Sequence, residues 1–176
     1  MAAEDVLIVP LHSRGDTRRL GHRLSECLQS GDLVLLEGEL GAGKTFLVRA
    51  IARGLGVDAA VRITSPTFDL VHELPARMPL VHVDLYRLDD AGSLRELGLA
   101  DRIGADAVVL VEWGERFTHM LGEVGLRVMI ELAGERERRC VFAARGPRGT
   151  ELLACLSARL AQRSIHGRRC EACGLR

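Results

Sequence analysis

Residues 33–45 read LVLLEGELGAGKT, and the reading of the fold starts from them. Leu33, Val34, Leu35 and Leu36 form a continuous apolar run, the pattern of a strand covered on both faces. Gly38-Glu39-Leu40-Gly41-Ala42-Gly43-Lys44-Thr45 follows and fits G-x-x-x-x-G-K-[ST]. Residues 45–55 then carry helical spacing, closed by Gly54 or Gly56. Strand, glycine-rich loop and helix in that order predict a phosphate-binding loop. The glycines let the backbone turn and aim successive N–H groups at phosphate oxygens. The positive end of the helix dipole adds to them. Lys44 is expected to reach the β- and γ-phosphates, and the Thr45 hydroxyl to take a place on Mg²⁺. Lys44 is the only lysine in the chain, and all other basic residues are arginine. A loop wrapped around phosphates needs a compact ammonium, whereas arginine is a wide planar fork.

Further elements extend from this centre. Residues 5–9 read as a short strand, and residues 17–29 as a helix capped by Asp16 or Thr17. Thr64-Ser65-Pro66-Thr67 is a turn-forming loop, with residues 68–72 extended after it. Strands are expected at 80–84 and 107–113, and short helices at 90–97 and 115–121. Residues 126–132 and 139–144 alternate as an antiparallel pair, and residues 150–162 close the domain as an amphipathic helix. Interleaved strands and helices predict an α/β fold, a three-layer P-loop NTPase sandwich. Its central sheet is mostly parallel and ends in the antiparallel strand pair. Residues 1–163 form one domain in this reading, and residues 164–176 a flexible tail.

Composition narrows the function. The chain has 176 residues, one domain's length, with 24 basic and 24 acidic residues. Zero net charge gives no global electrostatic case for nucleic acid or an anionic membrane. Aromatics at 3% leave little for stacking single-stranded nucleic acid. Residues 1–14 lack the features of a signal peptide, and no apolar run is long enough to span a bilayer. These features predict a cytoplasmic protein. Five cysteines without framework spacing predict free thiols in a reducing compartment.

A phosphate loop needs a carboxylate near its metal, at the end of a neighbouring strand. Asp84 and Glu112 both fit, each ending an apolar run, and the sequence does not divide their roles. Ser65 and Thr67 lie where γ-phosphate-sensing switches occur, although a plain Ser-Pro turn reads the same way. Trp113 reads as a packing residue. An N-K-x-D guanine motif cannot form with one lysine, and neither an LSGGQ-like signature nor an arginine-rich lid is present. Adenine, or weak base selectivity, is the expectation. Cys170 and Cys173 with His166 offer half a zinc knuckle, short of the four ligands such a site takes.

GELGAGKT at 38–45, TSPTF at 64–68, HVDLYRL at 82–88, ELGL at 96–99 and LVEW at 110–113 occur in this order. Together they resemble the bacterial tRNA threonylcarbamoyladenosine biosynthesis ATPase family, TsaE or YjeE. The likeness extends over nearly the whole chain. It implies an accessory ATPase that works with the TsaB and TsaD proteins. That machinery installs threonylcarbamoyl on N6 of adenosine 37 in tRNAs reading ANN codons. The resemblance further implies weak hydrolysis alone, stimulation by the partners, and contact with tRNA only through the complex. Position by position, it implies ATP contacts from Leu40, Gly41, Ala42, Gly43, Lys44 and Thr45. Thr45 and Glu112 would hold Mg²⁺, Asp84 would sit at the nucleotide centre, and Ser65 and Thr67 would belong to a switch. Thr17 matches a region near the adenine. Lys44, Asp84 and Glu112 are the catalytic candidates. The chain departs at Phe46, where many relatives have a second threonine, and in its added tail.

Two other functions compete: a nucleotide-dependent interaction switch without useful turnover, and a small-molecule kinase. Self-association is not legible in the sequence.

Overall fold

A computed structural model describes residues 6–66, 68–122, 125–134 and 137–162. Seven strands form one sheet: β1 (Val6–Leu11), β2 (Leu33–Glu37), β3 (Val71–Leu74), β4 (Leu80–Asp84), β5 (Val108–Glu112), β6 (Leu126–Leu132) and β7 (Arg138–Ala144). Their order is β1-β7-β6-β2-β5-β4-β3. The β2–β5, β2–β6 and β4–β5 ladders are parallel, whereas β3 and β7 run against their neighbours. The helices are α1 (Arg14–Ser25), α2 (Lys44–Gly54), α3 (Ala91–Glu96) and α4 (Gly146–Ala161), with short 3-10 turns at Leu99–Asp101 and Glu115–Phe117.

The three layers follow from the pleat. Alternate strand residues face opposite sides. Val34, Leu36, Val108 and Leu110 join a core with Leu24, Leu47, Ile51 and Leu156 of α1, α2 and α4. Leu33, Leu35, Val109 and Val111 join a second core with Leu94, Leu99 and Phe117. Burial of β2, β4 and β5 on both faces is why these segments are nearly continuous apolar runs. Helices α1 and α2 pack closely because Gly21 has no side chain: a Cβ there would lie 2.4 Å from Ala50 Cβ.

Several boundaries differ from expectation. Helix α1 begins earlier and is capped by Ser13, whose hydroxyl accepts from Asp16 N–H. Neither Asp16 nor Thr17 is the cap. The segment at 115–121 makes only the single turn Glu115–Phe117. Leu70 adopts φ 59°, which breaks an extended path from 68 and delays β3 to Val71. Helix α4 starts at Gly146, with Pro147 in its first turn, where the missing N–H costs no helical bond.

The expectation of free thiols is corrected at one pair. Cys27, just past α1, is bonded to Cys155 of α4 with a Cα–Cα separation of 5.9 Å. The two helices pack side by side and bring together cysteines 128 residues apart. Cys140 is a buried free thiol, its pKa pushed up to about 12 by burial.

Candidate functional site

The loop at 38–45 leaves the end of β2 and enters α2. Gly38, at φ 133°, passes so close to β6 that a Cβ would lie 2.3 Å from Ile130 O. Gly41 and Gly43 adopt φ 81° and 113°, yet a Cβ at either would meet nothing within 4 Å. Their requirement is conformational, and the space over the loop stays open to a ligand. The first N–H groups of α2 have no preceding helical carbonyl and are available to an anion. Arg138 of β7 donates from Nε to Ala42 O at 3.0 Å and braces the loop.

Lys44 is 4% exposed. Its Nζ donates to Gly38 O at 2.6 Å and Glu39 O at 2.9 Å, and lies 3.6 Å from the centre of the Trp113 ring. Burial holds its pKa below the ordinary lysine value, opposed by the charges of Glu112, Glu115 and Asp84. Three carboxylates thus act on one ammonium.

Parallel pairing of β4 with β5 sets Asp84 beside Glu112. Both are nearly fully buried. One Glu112 oxygen, Oε2, accepts from Thr45 Oγ1 at 2.9 Å, and the other, Oε1, bonds His82 Nε2 at 2.8 Å. Asp84 accepts from the Ser65 hydroxyl and, at 2.9 Å, from Tyr86 N–H. The two acids that the sequence left undivided therefore have different neighbours. Glu112 faces the loop threonine, and Asp84 faces the Thr64-Ser65-Pro66 segment.

Thr17 is buried and lines a hollow of about 690 Å³ with Gly41, Ala42, Gly43, Phe46 and Arg138. That size lies within the range of small-molecule sites. Leu40, at 75% exposed, stands out from the loop. Thr67 lies outside the described residues, as do Cys170, Cys173 and His166. No group of three or more His, Cys, Asp or Glu side chains that could hold a metal ion occurs among the described residues. A cation here would draw on the Thr45 hydroxyl and the Glu112 carboxylate, with Asp84 adjacent. Hard oxygen donors beside a phosphate cradle suit Mg²⁺, which keeps several waters and takes few protein ligands.

Sequence reasoning missed His82, Arg138 and Glu37. His82 is two residues before Asp84 on one strand, hence on the same face, and that spacing was the available signal. Glu37 is buried at the end of β2, where Arg127 Nε reaches its Oε1 at 2.6 Å. Another buried acid, Asp32, is paired with Arg148, and hydrogen bonding to Asp32 raises the guanidinium pKa further.

A glycine-rich loop lies between β2 and α2, with acids ending the next two parallel strands, in a mixed α/β sandwich whose central strands are mostly parallel. Residues 11–141 match the family described as Threonylcarbamoyl adenosine biosynthesis protein TsaE, and the chain belongs to that family. A Streptomyces coelicolor relative, named tRNA threonylcarbamoyladenosine biosynthesis protein TsaE, is 48% identical over 120 residues, covering 66% of this chain and 79% of its own. The Bacillus subtilis protein of the same name is 36% identical over 134 residues, covering 76% of this chain and 82% of its own. The fold is similar to a crystal structure of Bacillus subtilis YdiB, with a TM-score of 0.75 at 31% identity, over 90% of this chain and 98% of that one. The TsaE family is one of tRNA threonylcarbamoyladenosine biosynthesis. No helix among the described residues is long and apolar enough to cross a membrane.

Proposed function

We propose that this chain hydrolyses ATP, with Mg²⁺, as the accessory subunit of the cytoplasmic machinery that installs threonylcarbamoyl on N6 of adenosine 37 in tRNAs reading ANN codons. Its partners in this reading are the TsaB and TsaD proteins. The observation that carries the ATPase part is the Thr45 Oγ1 to Glu112 Oε2 bond of 2.9 Å beside the Lys44 loop. A hydroxyl and a carboxylate from opposite sides of the β2–β5 seam meet where a phosphate-bound cation would be held.

The residues divide the work as follows. Backbone N–H groups from Leu40 to Thr45 cradle the phosphates, and Lys44 neutralises charge on the terminal ones. Thr45 and Glu112 hold Mg²⁺, which when bound spreads the charge developing on the phosphate oxygens. Asp84, at the end of β4, orients the attacking water or takes its proton. Its bond to Ser65 couples that acid to the segment following α2, and Thr67 belongs to the same segment. Thr17 and its neighbours in the hollow receive the adenosine end of the nucleotide. Leu40 and Phe68, 75% and 83% exposed, and half-exposed Tyr86 are apolar side chains that a protein partner would cover.

The Ser65–Asp84 bond also favours the switch alternative, in which nucleotide binding alone drives partner exchange. Phosphate release from ATP, measured for the chain alone and with TsaB and TsaD, tests the main reading. Low release that rises sharply with the partners is expected, and release indifferent to them would overturn the assignment of partners. Glu112→Gln separates the readings: tRNA modification that persists after hydrolysis is lost would leave the interaction switch standing. Transfer of the γ-phosphate to a metabolite instead of water would mean a kinase.

A further inference from the structure

We infer that His82 is a positioning residue that fixes the Glu112 carboxylate for the phosphate-bound cation, an inference that rests on the ATPase reading. His82 lies in β4 between Val81 and Val83 and is fully buried. Its place on the sheet, on the same face as Leu80, is toward α2 rather than α3. An apolar residue would fill that position as its strand neighbours do. The imidazole instead brings two polar nitrogens into the core, and Nδ1 has no hydrogen-bond partner among the described residues. The other nitrogen, Nε2, lies 2.8 Å from Glu112 Oε1. A carboxylate only accepts, so Nε2 carries the hydrogen and donates.

The bond has a geometric consequence. Thr45 takes Glu112 Oε2 and His82 takes Oε1, so the two contacts define the plane of the carboxylate. With one contact alone the group could turn about its last bond, whose torsional wells are broad. The β4–β5 pairing pins both ends of the link, since His82 is in register with Leu110 and Asp84 with Glu112. His82 does not line the nucleotide hollow, and among the described residues its hydrogen bond goes to Glu112 and not to the loop. It acts through Glu112, as outer partners of metal-holding groups do elsewhere.

Trp113 supplies the readout. It is the only tryptophan, it follows Glu112, and Lys44 Nζ sits against its ring. Its fluorescence, followed while MgCl₂ is added at fixed ADP, reports cation binding without turnover. His82→Leu removes the donor and keeps apolar volume. His82→Gln keeps an amide N–H near the place of Nε2. The half-saturating Mg²⁺ concentration is expected to rise about tenfold or more in His82→Leu and to stay near wild type in His82→Gln. In a Glu112→Gln background the leucine substitution should add little, since its target is already changed. A folded His82→Leu protein with an unchanged Mg²⁺ titration would overturn the inference. So would equal impairment by leucine and glutamine, or a leucine effect undiminished in the Glu112→Gln background. Should circular dichroism show His82→Leu unfolded, His82→Met, flexible and of similar reach, is read in its place. A wild-type signal indifferent to ADP and Mg²⁺ would instead remove the nucleotide reading, and this inference with it.

Discussion

At the scale of single residues, the proposed function makes Lys44 a residue that serves the ligand rather than the fold. Its ammonium is buried, and burial alone disfavours the charged form. Two loop carbonyls, the Trp113 ring and the nearby carboxylates compensate. Lys44→Ala removes a cation that the fold has to accommodate, and the hydrophobic contacts of Leu47, Val48 and Ile51 in the same helix remain. The variant is therefore expected to keep the wild-type melting temperature within a few degrees. Partner-stimulated phosphate release should fall roughly a hundredfold or more, the usual cost of losing one preorganised charge stabiliser. A variant that is unfolded without nucleotide would show that Lys44 is structural. The lysine was legible because its sequence context is local: eight consecutive residues carry the whole motif. His82 was not, because its meaning comes from Glu112, thirty positions later on the adjoining strand. Trp113 combines both roles, packing against Tyr86 at 5.0 Å between ring centres and supporting the Lys44 ammonium.

At the scale of elements, α1 shows how a cap places a helix beside the site. Ser13 Oγ accepts from Asp16 N–H and donates to Asp16 Oδ2 at 2.8 Å, while His12 N–H reaches the same carboxylate oxygen. This reciprocal arrangement satisfies donors of the first turn, close to Thr17 and the hollow over the loop. The Ser13 hydroxyl, helped by Arg19, holds the Asp16 pKa below its ordinary 3.8. The sign follows from linkage. The unfolded chain protonates Asp16 first, so its contribution is present above about pH 4 and is lost as pH falls through the lowered folded value. Ser13→Ala should cost about 1 kcal/mol at neutral pH, the usual value of an N-cap. The deficit should shrink as pH drops below 4, and urea unfolding at several pH values measures both. A deficit that does not change with pH would detach Asp16 from the cap.

The same helix shows why boundaries were hard to read. Apolar spacing at Leu20, Leu24 and Leu28 marks a helix but says little about which polar residue in SRGDT begins it. Strands β2, β4 and β5 were plain because burial on both faces writes unbroken apolar runs. Strand β3 was displaced because a left-handed Leu70 is not a composition signal. Its antiparallel place beside β4 is a hairpin closed across residues 75–79, whose turn carries no tight-turn dipeptide to announce it.

At the scale of the molecule, the Cys27–Cys155 bond joins the end of α1 to α4 across most of the chain. Spacing could not reveal it, because the pairing is created by helix packing and not by sequence proximity. Arg148 reaches the carbonyl of Cys27 itself, so the crosslink and the pairing of Arg148 with buried Asp32 tie α4 to the same segment before β2. Closing a loop this long restricts the unfolded ensemble, and native disulfides typically contribute about 2–4 kcal/mol. For a chain of this size each kcal/mol shifts the melting temperature by roughly 2–4 °C. Cys155→Ser is therefore expected to melt about 5–15 °C lower than the oxidised wild type. Reductant should bring the wild type down to the variant's value and leave the variant unchanged, which separates the crosslink from the packing of the sulfur atoms. Cys140 is buried with a thiol pKa pushed up to about 12, so it cannot readily exchange into the pair and blur the comparison. Alkylation before and after reduction, followed by mass mapping of the peptides holding Cys27 and Cys155, establishes the oxidised state that the melt requires. Wild-type melting that is identical with and without reductant, in protein so mapped as oxidised, would show that helix packing alone holds α1 to α4.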